Sequence, residues 1–159
     1  MKRTLLSTLL ILMLMAAACT PGQIFQERKS LSPKMVWNMD NVLGYKVDVA
    51  DASCGYDIII DIRTVDFYQF SNMWLYIKTI SPSGAALVDT VEYRLRDDKG
   101  FSNSTSMRFG ELEDYEFMFK ENVRFAESGT YTFMLQHGMR TEDLLFVNEV
   151  GLTVRKHKD

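Results

Sequence analysis

The residues best placed for chemistry lie near the N-terminus, where a cysteine follows three small side chains. Cys19 comes directly after the alanines at positions 16–18, and an apolar run at 5–15 precedes them. Lys2 and Arg3 supply positive charge ahead of that run. This is the three-part layout of a secretory signal, and the run is too short to cross about 30 Å of hydrocarbon as a permanent helix.

A cysteine in this position resembles the bacterial lipobox, whose cysteine becomes the first mature residue and carries a diacylglyceryl group. A further acyl chain, such as palmitate, usually joins its amine. Ala16 stands where the lipobox usually has leucine. Two alternatives stay open: cleavage after Ala18 to give a soluble exported protein, and a disulfide between Cys19 and Cys54. We favour lipidation of Cys19, with Cys54 as a buried core thiol.

Other clusters of polar residues give weaker indications of chemistry. The stretch GELEDYE holds Glu111, Glu113, Asp114 and Glu116, which could bind calcium or form a glycosidase pair. It lacks the Asp/Asn alternation of calcium loops, so we expect a solvated loop and the polar face of a strand. His137 is expected to be a half-buried, hydrogen-bonded strand residue. We find no zinc spacing, nucleophile elbow or glycine-rich phosphate loop, and predict no enzyme, metal or cofactor.

Aromatic side chains make up 12% of the chain and suggest another kind of site. Trp37, Trp74 and Tyr76 could form a platform on which sugar rings stack. Core packing is the alternative, and we favour it for Trp74 because its strand is the most apolar. The position of Trp37, near the start of the domain, is left open.

The elements that must carry these residues are strands. From residue 36 onward apolar and polar residues mostly alternate, as in Tyr45, Val47 and Val49, and turn sequences follow at 81–84, 97–100 and 127–129. Seven or eight such strands predict an all-β fold, an antiparallel β-sandwich of the jelly-roll kind, in a single domain. One short helical turn is expected at 141–147, with Thr141 as its N-cap.

The chain therefore divides into three parts. Residues 1–18 are expected to be a lipoprotein signal peptide, 19–35 the lipidated cysteine and a tether, and 36–159 the β-sandwich. Pro21, Gly22 and Pro33 bracket a polar stretch typical of a linker. Fully extended, such a tether reaches about 50 Å and would let the domain stand clear of the membrane.

Composition narrows the class of partner. Hydrophobic residues form 47% of the chain, which is typical of a globular domain. The formal net charge is -3, and removing Lys2 and Arg3 with the signal leaves 16 basic and 21 acidic residues, or -5. Nucleic-acid binding needs clustered Lys and Arg, so we expect no nucleic-acid partner.

Two stretches resemble the gliding motility lipoprotein GldH family. The first, YQFSNMWLYI, contains Tyr68, Asn72 and Trp74, and it follows a strand that ends in an arginine. The second, LQHGMRTEDLLFVNEVGLTVRK, contains Met139 and Arg140 and closes on a Val-Gly-Leu strand. The middle departs from the family, which tends to carry Gly-Lys-Trp followed by Gly where this chain has DKGFSNS.

The resemblance implies a non-enzymatic lipoprotein of the cell envelope that acts in gliding motility and type IX secretion as an interaction or assembly component. Its partners would be the lipid bilayer, through Cys19, and other envelope proteins of that machinery. We expect the periplasmic face of the outer membrane, because residues 20–24 lack an acidic surface-export run. Arg140 could stabilise the fold by pairing with Asp143, or it could bind a partner; we favour the first.

The alternative function is a glycan-binding β-sandwich lipoprotein. A hydrolase that uses the acidic cluster is a third and weaker alternative.

Overall fold

A computed structural model describes residues 22–31, 33–105 and 111–158 of the protein. Ten strands form within these residues. They are β1 (Gln23–Ser30), β2 (Val36–Asn38), β3 (Leu43–Val49), β4 (Tyr56–Val65), β5 (Asn72–Ile80), β6 (Ala86–Arg94), β7 (Leu112–Val123), β8 (Gly129–His137), β9 (Asp143–Leu145) and β10 (Val147–Lys156). No helix in the described part of the chain is long and apolar enough to cross a membrane.

The strands form two four-stranded antiparallel sheets packed face to face. The first has the order β1-β10-β4-β7 and the second β3-β8-β5-β6, while β2 and β9 pair as a short ribbon. Apart from the β5–β6 hairpin, which lies within the second sheet, successive long strands alternate between the two sheets, as in a jelly roll. The predicted antiparallel β-sandwich is confirmed.

Alternating side chains on the two inner faces build the core. In β4, Ile58, Ile60 and Ile62 point inward as their period-two spacing predicted, and all are buried. Tyr45 from β3 crosses the core, and its hydroxyl donates to the carbonyl oxygen of Val150 in β10 at 2.7 Å. This bond ties the two sheets together, and burial raises the pKa of Tyr45 above its ordinary value.

The segment expected to be a tether is instead the first strand. Gln23–Ser30 pairs antiparallel with β10, from Gln23 opposite Arg155 to Ser30 opposite Glu149. The polar residues in this segment suggested a linker, but they lie on the solvent side of an edge strand. The sandwich therefore begins at residue 23, not 36, and only three residues separate Cys19 from β1. The signal peptide, the cysteine and residues 20–21 lie outside the described residues.

Ion pairs on the outer face of the first sheet hold β1 in place. Arg28 reaches Asp61 in β4 at 3.3 Å and Asp114 in β7 at 3.1 Å. Arg63 contacts Asp114 at 2.6 Å and Glu149 in β10 at 3.1 Å. Together these residues span all four strands of the sheet, and Asp61 is almost completely buried beneath them.

The helical turn expected at 141–147 is wrong. Residues 143–145 form β9, in which Leu144 lies opposite Trp37 of β2, and both side chains are fully buried. Phe146 follows with a φ of 68°. The capping residues at 141–143 are compatible with a helix, but burying Leu144 against Trp37 outweighs that local preference.

Candidate functional site

The two stretches singled out in the sequence meet at one end of the second sheet. Leu75 of β5 lies opposite His137 of β8, so the chain leaving β8 runs beside the start of β5. The backbone N–H of Gly138 donates to the carbonyl oxygen of Trp74 at 2.7 Å. In return, the N–H of Trp74 donates to the sulfur of Met139 at 3.3 Å. This exchange fixes both segments around a shared surface.

That surface is a groove of about 620 Å³, here called the aromatic groove. The side chains that line it include Phe70, Asn72, Trp74, Tyr76, Met139 and Arg140. Its volume lies within the range of ordinary ligand-binding clefts. Four of the five residues named from the sequence, Asn72, Trp74, Met139 and Arg140, therefore belong to one site.

Trp74 and Tyr76 form the exposed aromatic wall of the groove. They alternate with buried Met73 and Leu75 in β5, and 39% of Trp74 and 44% of Tyr76 are accessible. The expectation that Trp74 packs in the core is wrong. Its strand is apolar on both faces, but only one of those faces is covered.

Gly138 is a site residue that the sequence analysis missed. A Cβ at this position would lie 3.0 Å from the Tyr76 ring and 3.5 Å from Cβ of Trp74. The missing side chain therefore lets the Tyr76 ring lie against the backbone. The sequence offers only a glycine directly after a predicted strand; its approach to the Tyr76 ring is seen only in the structure.

The fifth named residue, Tyr68, does not line the groove but contacts two residues that do, Phe70 and Asn72. Its ring is buried, packs edge-on against Phe70 at 5.8 Å, and its hydroxyl donates to the carbonyl oxygen of Asn72 at 3.0 Å. Burial raises the pKa of Tyr68, so its hydroxyl stays protonated and remains a donor. The side chain of Asn72 donates to Glu92 in β6 at 2.5 Å. Tyr68 thus has a structural role at this rim.

Arg140 is an exposed cation at the mouth of the groove. Asp143, the acid expected to pair with it, instead accepts a hydrogen bond from Asn38 at 2.8 Å. Within the described residues, Arg140 has no ion pair. The expected Arg140–Asp143 contact is therefore wrong, and the guanidinium is free to bind an anionic or carbonyl group.

The acidic stretch does not converge into one site. Glu113 is buried, accepts a hydrogen bond from the Tyr115 hydroxyl at 2.7 Å and lies 3.3 Å from Arg96. Asp114 points to the opposite face, toward Arg63 and Arg28. Burial raises the pKa of Asp114, but the hydrogen bonds and charge of the two arginines outweigh it, and the net pKa is lowered.

The expectation of a solvated acidic loop therefore fails for the two central carboxylates, because each is neutralised by arginine. Glu111 and Glu116 are exposed, as expected. Among the described residues, no three His, Cys, Asp or Glu side chains come together as a metal site.

His137 is more deeply buried than expected. Its ring packs edge-on against Trp37 with centroids 5.4 Å apart, and neither ring nitrogen has a hydrogen-bond partner of good geometry in the described structure. Burial lowers the pKa of His137, although backbone groups of Trp37 and Glu142 oppose the shift. Trp37 itself is fully buried, and its N–H donates to the carbonyl of Asn41 at 2.8 Å. It cannot belong to a sugar-stacking platform.

Cys54 is a free thiol that is only partly buried, which corrects the expectation of a core cysteine. Its sulfur lies 3.0 Å from a carboxylate oxygen of Asp51 and donates to it. Hydrogen bonds from Cys54 and Ser53 lower the pKa of Asp51 to about 2. This thiol lies near the end of the sandwich where β1 begins, since Gly55 accepts a hydrogen bond from the N–H of His157.

Sequence comparisons find relatives over almost the whole sandwich. The chain is 27% identical over 147 residues to the "gliding motility lipoprotein GldH homolog" of Christiangramia forsetii, covering 88% of each chain. It is 26% identical over 113 residues to the "gliding motility lipoprotein GldH" of Flavobacterium johnsoniae, covering 71% of this chain and 69% of that one.

Two solved structures show a distant similarity. A family GH115 4-O-methyl-α-glucuronidase is 6% identical, with a TM-score of 0.47, over 88% of this chain and 18% of that one. Dimeric latent PorU from Porphyromonas gingivalis is 9% identical, with a TM-score of 0.38, over 89% of this chain and 13% of that one. Neither similarity bears on function.

The family model described as "GldH lipoprotein" matches residues 23–154. That match runs from the first residue of β1 to Val154, two residues before the end of β10, and so includes both sheets and the aromatic groove. The chain belongs to the GldH lipoprotein family.

Proposed function

We propose that the protein is a non-enzymatic envelope lipoprotein of the gliding motility and type IX secretion machinery. Its acylated Cys19 would hold it on the periplasmic face of the outer membrane, and its aromatic groove would bind a protein component of that machinery. The names of its relatives support the gliding role. The link to secretion rests on the family resemblance alone.

One observation supports the docking role: the aromatic groove lies at the end of the sandwich opposite the start of β1, the strand that follows the proposed lipid attachment at Cys19. β1 begins beside the end of β10, whereas β5 begins and β8 ends at the other end. β10 has ten residues and spans about 33 Å. A groove so placed faces away from the membrane that holds the protein, where a partner can reach it.

The same end exposes further large apolar side chains. Phe67 and Phe101, in loops that follow β4 and β6, are 64% and 69% accessible. Exposed apolar surface of this kind marks interaction sites on soluble domains, and Trp, Tyr and Arg are the residues most often decisive in protein interfaces. The groove supplies Trp74, Tyr76 and Arg140. Phe101 occupies the loop in which the family tends to carry a tryptophan.

The test is complementation of a deletion strain with groove variants. We expect Trp74→Ser combined with Arg140→Ala to abolish colony spreading, or type IX secretion where the host does not glide, at an unchanged amount of membrane-bound protein. Lys78→Ala is the matched control, because Lys78 lies on the same face of β5 outside the groove. Full function of the double variant would refute the proposal.

A second candidate function is glycan binding, which the exposed pair Trp74 and Tyr76 favours. Trp37 is buried, so a change in tryptophan fluorescence on adding a glycan would be expected from Trp74. The candidate requires saturable quenching that disappears in Trp74→Phe. An unchanged spectrum across a broad glycan panel would remove it.

A further inference from the structure

The short connection to Cys19 brings one end of the sandwich close to the membrane. The carbonyl oxygen of Gly22 accepts a hydrogen bond from the N–H of Lys156 at 2.8 Å, so the chain is fixed to the domain from Gly22 onward. Three residues in any conformation span at most about 10 Å. If Cys19 is acylated, as the proposed function requires, this end cannot stand clear of the lipid headgroups.

That end carries an apolar pocket, here called the basal pocket. β6 and β7 are edge strands of different sheets, and the pocket of about 330 Å³ opens between them, beside the 81–85 turn and the 124–128 loop. The side chains lining it include Ile58, Leu87, Phe119, Val123, Phe125 and Phe133. The 124–128 loop lies at the Gly22 end, because β4 starts there opposite the end of β7 and the end of β10. The 81–85 turn lies at the same end, since the N–H of Ser83 donates to the carboxylate of Glu127 at 3.0 Å.

The rim of the basal pocket combines an exposed apolar side chain with charged groups of both signs. The two carboxylates that line it already have partners. Asp89 pairs with Lys120 at 3.0 Å, and Glu127 accepts the hydrogen bond from the N–H of Ser83. Leu87 is 60% accessible at the mouth. Arg124 lines the pocket, is exposed, and has no ion pair among the described residues. It also lines an adjoining polar pocket together with Lys156. An apolar slot beside two cations matches a phospholipid, which joins acyl chains to an anionic phosphate.

We propose that the basal pocket binds one acyl chain of a phospholipid from the anchoring membrane, with the lipid phosphate beside Arg124 and Lys156. The sandwich then rests on the bilayer through a second contact, independent of its covalent anchor. This contact fixes the orientation in which the aromatic groove faces away from the membrane. The inference rests on acylation of Cys19 but not on the identity of the partner in the groove.

The test uses the full mature lipoprotein, reconstituted into vesicles of phosphatidylethanolamine and phosphatidylglycerol doped with a phospholipid that carries a diazirine in one acyl chain. After illumination, mass spectrometry maps the labelled peptides. We expect labelling within 81–89 and 119–127. Label confined to the peptide containing Cys19, or spread over the 66–71 and 97–105 loops, would overturn the proposal.

Two neighbouring residues supply matched variants. Leu87 lines the basal pocket, whereas Val88, equally exposed at 58%, points to the opposite face of β6. We expect Leu87→Glu to reduce labelling about tenfold, because an isolated carboxylate disfavours an acyl chain beside it, and Val88→Glu to have no effect. Equal effects of the two substitutions would refute the site.

The same samples separate this proposal from the proposed function. The mass of the Cys19 peptide reports acylation directly, and an unmodified cysteine would overturn both the anchor and the lipid contact. Normal labelling in the vesicles, together with normal motility of strains that carry the groove variants, would support the lipid site while refuting the docking role.

Discussion

The strongest prediction on stability concerns Arg28, because it asks whether residues 23–30 are a strand or a tether. Arg28 is one quarter exposed and lies 3.3 Å from Asp61, whose side chain is only 2% exposed. It also lies 3.1 Å from Asp114. Among the described residues, Arg28→Ala would leave Asp61 with only the Thr153 hydroxyl, at 2.8 Å, as a side-chain partner.

The expected cost follows from this geometry. Removing one partner of a fully buried ion pair costs about 3–5 kcal/mol, and hydrogen bonds to charged groups contribute about 1.5–3 kcal/mol. Because the guanidinium of Arg28 is partly solvated, we expect a loss of about 2–3 kcal/mol. At about 2–4 °C per kcal/mol for a domain of this size, the melting temperature would fall by about 4–12 °C.

The neighbouring cation is the matched control. Lys29 is 36% exposed, its nearest carboxylate is Glu27 at 3.7 Å, and its ammonium lies 5.2 Å from the centroid of the Tyr45 ring. Exposed ion pairs and cation–π contacts of this kind contribute about 1 kcal/mol or less. Lys29→Ala should therefore lower stability much less than Arg28→Ala.

The assay is urea unfolding of the purified chain lacking residues 1–19, followed by tryptophan fluorescence. A double-mutant cycle with Asp61→Asn should show a coupling energy of about 1 kcal/mol or more. The reason is that the neutral amide in Asp61→Asn, unlike the buried carboxylate, leaves no unpaired charge when Arg28 is removed. If Arg28→Ala and Lys29→Ala were equally neutral, Gln23–Ser30 would be a tether after all, and the argument that places the domain on the membrane would fail.

Three further predictions follow from burial and packing. The pKa of Asp114 is lowered in the folded protein, so the stabilisation from its carboxylate is complete above the unfolded pKa of about 4 and is lost as the pH falls through the lowered value. The urea midpoint should therefore decline less between about pH 5 and pH 2 in Asp114→Asn than in the wild type. The pKa of His137 is also lowered, so the unfolded state binds the extra proton and stability should fall as the pH drops below about 6.5, a component that His137→Phe should remove. A Cβ at Gly151 would lie 2.7 Å from Cγ of Arg28, whereas one at Gly44 would meet nothing within 4 Å. In thermal melting, Gly151→Ala should therefore be destabilised and Gly44→Ala should be close to wild type.

Local alternation was enough to predict most of the sandwich. The inward faces of β3, β4, β8 and β10 follow directly from residues such as Val47, Ile60, Phe133 and Leu152, all buried as the period of two requires. The turns at 81–84 and 97–100 contain Gly84 and Gly100 with positive φ, as their sequences indicated.

The errors arose where long-range pairing decides the structure. Nothing local in QIFQERKS shows that Arg28 will meet Asp61 and Asp114, which are distant in sequence. Similarly, an apolar strand does not reveal which of its faces is covered, so the expectation of a buried Trp74 fails. The same limit applies to residues 143–145, which form a strand only because Leu144 meets Trp37.

The candidate site was predicted in part. Resemblance to the family named Asn72, Trp74, Met139 and Arg140, and the fold brings them into one groove. The contribution of Gly138 follows only from its approach to the Tyr76 ring, which the sequence does not contain. The basal pocket was not predicted at all, because its walls come from the edges of two different sheets.

Whether the aromatic groove is the docking site can be measured by photocrosslinking in living cells, with a photoreactive amino acid in place of Thr141, an exposed residue that lines the groove beside Arg140. We expect a crosslink to an envelope protein of the gliding and secretion machinery, absent when Trp74 is also changed to Ser and absent when the photoreactive residue replaces Lys46 on β3. No crosslink at position 141, or an equal one at position 46, would refute docking at the aromatic groove.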